Sequence, residues 1–314
     1  MLPLRVRRIC SDISSLKVQG ARKIALAAIE ALHFSAEDSR AKTPASLYAD
    51  LLLAADALSK SRPTEPMMRN SLRDTVRFVL LQTQKKGSSV QSIREALMQQ
   101  KKDFFSHMQL QFEKICEFGA RQMPQRARVL VHCHSHTVVG ILRRAQYLGK
   151  KPIVACTETR PLFQGRKTAR ELADAGIDVS LMVDSAANSQ LASSDMVLVG
   201  ADAITASGDL VNKIGTSAIA QLAYMRGVRF YSAAELYKFD PATRWGAPEP
   251  LEQRNAAELG AQMRGVKALN PAFDITPARY VSAYICEEGI IPPQGMLALA
   301  SKILGDQKGE QAKK

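Results

Sequence analysis

Residues 129–156 read VLVHCHSHTVVGILRRAQYLGKKPIVAC. The stretch opens with an apolar run, Val129–Cys133, passes through His134–His136 into a helical pattern, Thr137–Leu148, and returns to an apolar run at Ile153–Cys156. Short runs rich in β-branched residues, each bounded by turn signals, predict buried strands. Two of them enclosing one helix predict a βαβ unit of a parallel sheet. The rhythm continues downstream. Val179–Val183, Met196–Val199, Val228–Tyr231 and Val281–Ile285 read as further strands, and Thr168–Ala175, Ser185–Ser193 and Thr216–Met225 as helices between them. The expected class is α/β, with a doubly wound, mostly parallel sheet.

Upstream the pattern is helical. Gln19–Leu32 carries Ile24, Leu26, Ala27, Ile29 and Leu32 on helical spacing. Thr43-Pro44 is a cap followed by proline at the first helical position, opening a helix through Leu58. Asn70–Gln84 and Ser89 to about Phe118 follow, and Ser61–Pro66 with its two prolines is a loop. The change of rhythm falls in Gly119–Arg126, so the expected division is an N-terminal helical domain, 1–120, and a Rossmann-like α/β catalytic domain, 121–314. From Asp306 the chain is charged and reads as a frayed tail.

A hydrophobic fraction of 46% supports a full core. No apolar run approaches the roughly 18 residues a bilayer needs. The basic start, Met1–Arg8, lacks a following apolar stretch of secretory length, which predicts a cytoplasmic protein. Five scattered cysteines (Cys10, Cys116, Cys133, Cys156, Cys286) without a CxxC pair fit reduced thiols. The net charge is +13, with 21 Lys+Arg against 12 Asp+Glu in residues 1–127 and 22 against 18 thereafter. Such a surplus suits phosphorylated metabolites, nucleic acid or acidic surfaces, and equally a solvated basic face. Aromatics are only 6%, and RNA-binding signatures are missing, so nucleic acid is not an expected partner.

Ligands of such sheets bind beyond the carboxyl ends of the strands. His132-Cys133-His134-Ser135-His136 lies there. In an extended chain His132, His134 and His136 would share one face and Cys133 and Ser135 the other. A zinc site, a thiol activated before a helix N-terminus, and an ordinary strand–helix turn all fit. Gly200-Ala201-Asp202 follows the strand Met196–Val199, where a general acid/base carboxylate or a structural turn is at home. Asn212-Lys213-Ile214-Gly215-Thr216-Ser217 offers backbone N–H groups, hydroxyls and a cation to a phosphate, or is a capped helix. Arg160, after the second strand, is placed to grip an anion; Arg166 and Lys167 read as a solvated helix start. Gly20-Ala21-Arg22-Lys23 and Arg62-Pro63-Thr64 are further anion-binding candidates in the helical part. GxGxxG after the first strand, GxxxxGK[ST], HExxH and GxSxG are absent, so no dinucleotide cofactor is expected.

Together HCHS (132–135), TETRP (157–161), QGRKTARELADAGI (164–177), VDSA (183–186), GADAI (200–204), GDLVNKIGT (208–216), AELYKF (234–239), NPAFDITP (270–277) and GIIPP (289–293) resemble, in order, one family. It holds methylthioribose-1-phosphate isomerase, ribose-1,5-bisphosphate isomerase and the alpha, beta and delta subunits of translation initiation factor 2B. The Cys133/Asp202 pair and the short N-terminal part with Arg62-Pro63-Thr64 resemble the ribose-1,5-bisphosphate branch most. The resemblance implies Cys133 and Asp202 as catalytic residues. It implies substrate contacts at Gly20, Ala21, Arg22, Lys23, Arg62, Ser135, His136, Thr137, Arg160, Asn212, Lys213 and Lys238. Two positions depart from the family pattern: Gln19 where the enzymes have arginine, and His136 where they have lysine.

The activity so implied is the conversion of a 1-phosphorylated pentose to its ketose, with ribose 1,5-bisphosphate the expected substrate. Methylthioribose 1-phosphate or a related sugar 1-phosphate is the alternative, and a non-catalytic regulatory or binding subunit of the initiation-factor type is the rival class. Asp202, kept protonated by an apolar site, would act as the acid at the ring oxygen, and Cys133 as the base at C2. A hydride shift is the other route. Arg160, Lys213 and Lys238 would hold phosphate. No metal or cofactor is called for; a nucleotide activator and a homo-oligomer, dimer or hexamer, are the expected partners besides the sugar phosphate.

Overall fold

In the structure, a computed structural model describing residues 2–249, 251–260 and 265–304, the chain divides into two compact units, Met1–Leu110 and Gln111–Lys314. The tail expected from Asp306 lies outside the described residues.

The first unit is helical: α1 (Leu4–Ser14), α2 (Ala21–Asp38), α3 (Pro44–Ser61), α4 (Pro66–Thr83) and the first part of α5 (Val90–Gln122). Their apolar stripes close one core of Val6, Ile13, Ile24, Leu32, Leu47, Leu51, Leu58, Leu72, Val79, Ile93 and Leu97. Thr43 accepts the Ser46 N–H and Ser46 reciprocates, a capping box with Pro44 at the first position. Helix α1 was not expected from the sequence. Only Val6 and Ile13 of its residues are buried, and four polar or charged residues separate them. Helix α4 starts at Pro66 rather than Asn70, because a proline is tolerated in a first turn.

The second unit is built on a seven-stranded sheet. Its strands are β1 (Arg128–Val131), β2 (Ile153–Thr157), β3 (Asp178–Met182), β4 (Met196–Val199), β7 (Arg229–Ala233), β9 (Ala283–Cys286) and β10 (Gly289–Ile291), in the order β10-β9-β7-β4-β1-β2-β3. Every pairing is parallel except the β9–β10 hairpin. Val129 and Val131 enter one core with Val138, Ile141 and Leu142 of α6 (His136–Tyr147) and Leu172 of α7 (Gln164–Asp174). Leu130 enters the other, with α8 (Ala187–Leu191), α9 (Thr216–Met225) and Met296 of α10 (Met296–Leu304). Alternate side chains thus feed opposite layers, the pattern of a strand buried on both faces.

Three expectations change. The first strand ends at Val131, two residues early, because Cys133 has φ +68 and leaves the extended region. Strand β3 is an edge strand paired only with β2, and Leu181 is 49% exposed, so it is not the buried strand read from its composition. A second, antiparallel sheet of β5 (Ala203–Ile204), β6 (Leu210–Lys213) and β8 (Phe273–Thr276), ordered β5-β6-β8, was not foreseen. No described helix is long and apolar enough to cross a membrane.

Candidate active site

The chain order reverses between β1 and β4: from β1 the sheet grows one way through β2 and β3, from β4 the other way through β7 and β9. A crevice opens beyond the carboxyl ends of strands at such a switch point. Cys133 follows β1 and Asp202 follows β4, so both catalytic candidates flank it. The two loops touch: a Cβ on Gly200 would stand 2.8 Å from Cβ and Oγ of Ser135. Asp202 is pinned by its own N–H, which donates to the Val211 carbonyl at 2.9 Å.

Cys133 adopts a left-handed conformation that non-glycine residues avoid. Its N–H donates to the Thr159 hydroxyl at 2.9 Å, and its carbonyl accepts the Thr168 hydroxyl at 3.0 Å. The residue is only half-buried by surface area, but atoms pack densely around the sulfur, and this burial pushes the thiol up to about 12. The Lys213 ammonium pulls it down; Asp202 and Asp184 push it further up. The thiol is therefore protonated near neutrality, and the charges of Asp202 and Lys213 are felt at its sulfur.

The three histidines go to three different partners, which overturns the shared face. His132 is buried; its Nδ1 lies 2.6 Å from the Thr157 hydroxyl and its Nε2 2.9 Å from the Ile214 carbonyl. The carbonyl can only accept, so Nε2 carries the proton and Nδ1 accepts from Thr157. Burial holds this ring's pKa below the ordinary value. His134 bonds Thr168 at 3.0 Å, and the exposed His136 stacks on Phe112 with centroids 4.6 Å apart. The alternation fails because the chain leaves the strand conformation at Cys133.

The remaining residues proposed from sequence are placed as follows. Ser135 caps α6 by accepting the Val138 N–H, and Thr137 is buried in its first turn. Asn212 donates to the Thr216 hydroxyl at 3.1 Å. The Lys213 ammonium lies 4.9 Å from the Phe273 ring centre. The N–H groups read as free for phosphate at the start of α9 are engaged: Gly215 donates to Asp274 at 2.7 Å and Ser217 at 3.1 Å. Burial pushes that carboxyl up to about 6, against the pull of the two N–H donors. Arg160 lays its guanidinium over Phe163 and donates to the Leu259 carbonyl at 3.0 Å. Lys238, 6% exposed, lies 3.2 Å from a Glu235 oxygen, so a buried carboxylate already balances its charge. The segment holding Lys238 runs beside Ile204, just past Asp202: Phe239 bridges Ile204 and the Asp240 N–H donates to its carbonyl at 2.8 Å.

Within the first unit, Gly20 has φ +90 and opens α2 with nothing within 4 Å of an added Cβ. Ala21 is buried, Arg22 donates to Gln109 at 3.1 Å, and Lys23 is exposed. Arg62 pairs with the buried Glu65 at 3.3 Å.

Sequence reading missed Asp184, Thr159 and Asp274. Asp184 was legible in principle: it follows β3 at the same sheet edge at which Asp202 follows β4. Asp274 was not, because its partners lie nearly sixty residues away at the N-cap and first turn of α9.

Comparison with known proteins fits this geometry. Ribose 1,5-bisphosphate isomerase of Pyrococcus furiosus is 36% identical over 97% of this chain and 96% of its own length. The protein of the same name from Methanocaldococcus jannaschii is 38% identical over 96% of each chain. A crystal structure from Pyrococcus horikoshii, described as translation initiation factor eIF-2B, superposes with TM-score 0.79 at 29% identity, covering 93% of this chain and 98% of that one. The model of the initiation factor 2 subunit family matches residues 17–293. The chain belongs to the initiation factor 2 subunit family.

Proposed function

We propose that the crevice isomerises a 1-phosphorylated pentose, with ribose 1,5-bisphosphate as substrate and ribulose 1,5-bisphosphate as product. The observation that carries this reading is that Cys133 and Asp202 follow β1 and β4, the two strands that flank the switch point, with the charges of Asp202 and Lys213 acting on the thiol. A binding subunit has no need of a thiol, a carboxyl and an ammonium so arranged. The names of the relatives described above point the same way.

The anomeric phosphate blocks spontaneous ring opening, so the ring oxygen must be protonated as its bond to C1 breaks. In the free site the Cys133 thiol is protonated, its pKa pushed up to about 12 by burial. The catalytic form carries a proton on Asp202 and a strongly basic thiolate on Cys133, which the Lys213 charge favours. Asp202 then protonates the ring oxygen. Cys133 takes the proton from C2, and a C1–C2 double bond forms. Return of a proton to C1, with loss of the C2 hydroxyl proton, yields the ketose. Each transfer group contributes about 10²–10⁴-fold. Ser135, Thr137 and the α6 N-terminus, with Asn212, Lys213, Arg160 and Lys238, orient the sugar and its phosphate. Gly20–Lys23 and Arg62 are the proposed anion contacts of the first unit. A cytoplasmic setting, a homo-oligomer and a nucleotide activator belong to the same proposal.

The test is incubation of purified protein with ribose 1,5-bisphosphate and, separately, methylthioribose 1-phosphate, read by carbon NMR. Ketose from the first is the expected result; ketose from the second alone moves the assignment to that sugar. In D2O the proton route places solvent deuterium at C1, whereas a hydride shift does not. Cys133→Ser and Asp202→Asn each abolish turnover with the fold intact. A serine variant that turns over like the wild type refutes the assignment of the base.

A further inference from the structure

The left-handed backbone at Cys133 needs support, since such conformations persist only where the surroundings over-determine them. Thr159, the residue whose hydroxyl accepts the Cys133 N–H, is itself left-handed, with φ +62. Its side chain is fully buried. Two strained residues facing each other across one hydrogen bond cannot fix one another. A third group must.

That group follows β3. Asp184 accepts the Thr159 N–H through Oδ1 and the Arg160 N–H through Oδ2, each at 2.7 Å. A carboxylate taking two backbone N–H groups side by side forms short, charge-assisted bonds and fixes the peptide plane between them. The three contacts run β3 to β2 to β1: the loop after β3 holds the loop after β2, which holds the loop after β1. We infer that Asp184 is a positioning residue for Cys133, acting through the buried hydroxyl of Thr159. The inference rests on the reading of Cys133 as the reactive thiol. It adds a residue two positions beyond its strand with no proposed contact to the sugar. Asp184 also opposes ionisation of that thiol by its negative charge, as Asp202 does. Its loss therefore acts on the sulfur twice, by loosening the turn that buries it and by removing an anion.

The experiment uses the full chain and two readouts. The first is the rate of Cys133 alkylation by iodoacetamide against pH, followed by mass spectrometry of the Cys133 peptide so that the half-buried Cys10 does not interfere. The second is kcat and KM for the sugar phosphate. Asp184→Asn keeps the shape but cannot accept both N–H groups. The alkylation curve moves to lower pH, so that alkylation at a fixed pH below the midpoint is about three- to tenfold faster. The kcat falls about 10- to 100-fold with KM nearly unchanged. Thr159→Val moves the curve the same way, Thr159→Ser leaves it in place, and the Asp184→Asn/Thr159→Val double variant is no worse than the poorer single. Should Asp184→Asn fail to fold, the Thr159 pair carries the test. A curve and a kcat that both stay at wild-type values overturn the inference. If the wild type leaves the sugar phosphates untouched while the Asn variant still moves the curve, the isomerase reading falls and the positioning role stands.

Discussion

Gly200 lies against Ser135 so closely that a single added carbon would stand 2.8 Å from both Cβ and Oγ of the serine. The loops after β4 and β1 therefore meet at the floor of the crevice with no slack. Ser135 cannot retreat freely, because its hydroxyl accepts the Val138 N–H and caps α6. The Gly200 carbonyl is also held, accepting the Ser232 hydroxyl at 2.8 Å. Overpacking of a tight contact costs about 1–3 kcal/mol. Gly200→Ala is expected to lower stability by that amount in urea unfolding and to cut kcat, since Ser135 and Asp202 must shift to admit the methyl group. A variant with wild-type midpoint and turnover would show that the loops have room.

Asp274 links the small sheet to the crevice. From β8 it accepts the N–H groups of Gly215 and Ser217, and between them and β6 lies Ile214, whose carbonyl receives His132. Asp274→Ala removes a cap and leaves two donors without their carboxylate. Loss of a capping side chain costs about 0.5–2 kcal/mol. We expect a fall toward the upper end, with a smaller one for Asp274→Asn, measured by the shift of the urea midpoint at constant slope. An unchanged midpoint in the alanine variant would mean that water replaces the carboxylate without loss.

The main sheet was legible because its signal is local. Val129, Leu130 and Val131 are apolar on consecutive positions, which only a strand covered on both faces needs. The Cys133 and Asp202 positions follow from where those strands stop. What was not legible depends on partners far away in the chain. Strand β5 is two residues long and acquires meaning only from β6 and β8. The histidine alternation assumed that the strand continues through residue 136, whereas Thr159 and Thr168, about thirty residues on, turn the backbone at Cys133. Lys238 reads as a cation on its own, and its neutralising partner Glu235 is visible three residues away. That both are buried is visible only in three dimensions.

Lys213 is the cation whose charge draws the Cys133 thiol toward ionisation. Its ammonium lies over the Phe273 ring, 4.9 Å from the centre, so replacement by an apolar side chain of similar length keeps much of the packing. Lys213→Met is expected to move the Cys133 alkylation curve to higher pH, opposite in sign to Asp184→Asn. Alkylation below the midpoint slows about tenfold for each pH unit of that movement. A curve that stays in place would mean that the ammonium is screened from the sulfur, and Lys213 would then serve phosphate alone.

Glu287 gives the folded state a pH dependence that one substitution can isolate. The carboxyl is 4% exposed, and both oxygens lie within 3.2 Å of the Leu236 nitrogen, whose N–H they accept. Burial pushes it up to about 7, with Glu235 and Glu288 adding to the rise and the backbone donors opposing it. An unfolded glutamate titrates near 4.3. Between those values the folded chain binds the extra proton. The stability this group contributes is therefore complete below about pH 4, declines as pH rises, and is gone above about pH 7. The full change is on the order of 3 kcal/mol. Glu287→Gln keeps an acceptor for Leu236 and cannot ionise. In urea unfolding at a series of pH values from 5 to 8, the variant is expected to lose less stability with rising pH than the wild type, and to overtake it at the alkaline end. Parallel stability curves for the two proteins would show that Glu287 ionises at its ordinary pKa despite its burial.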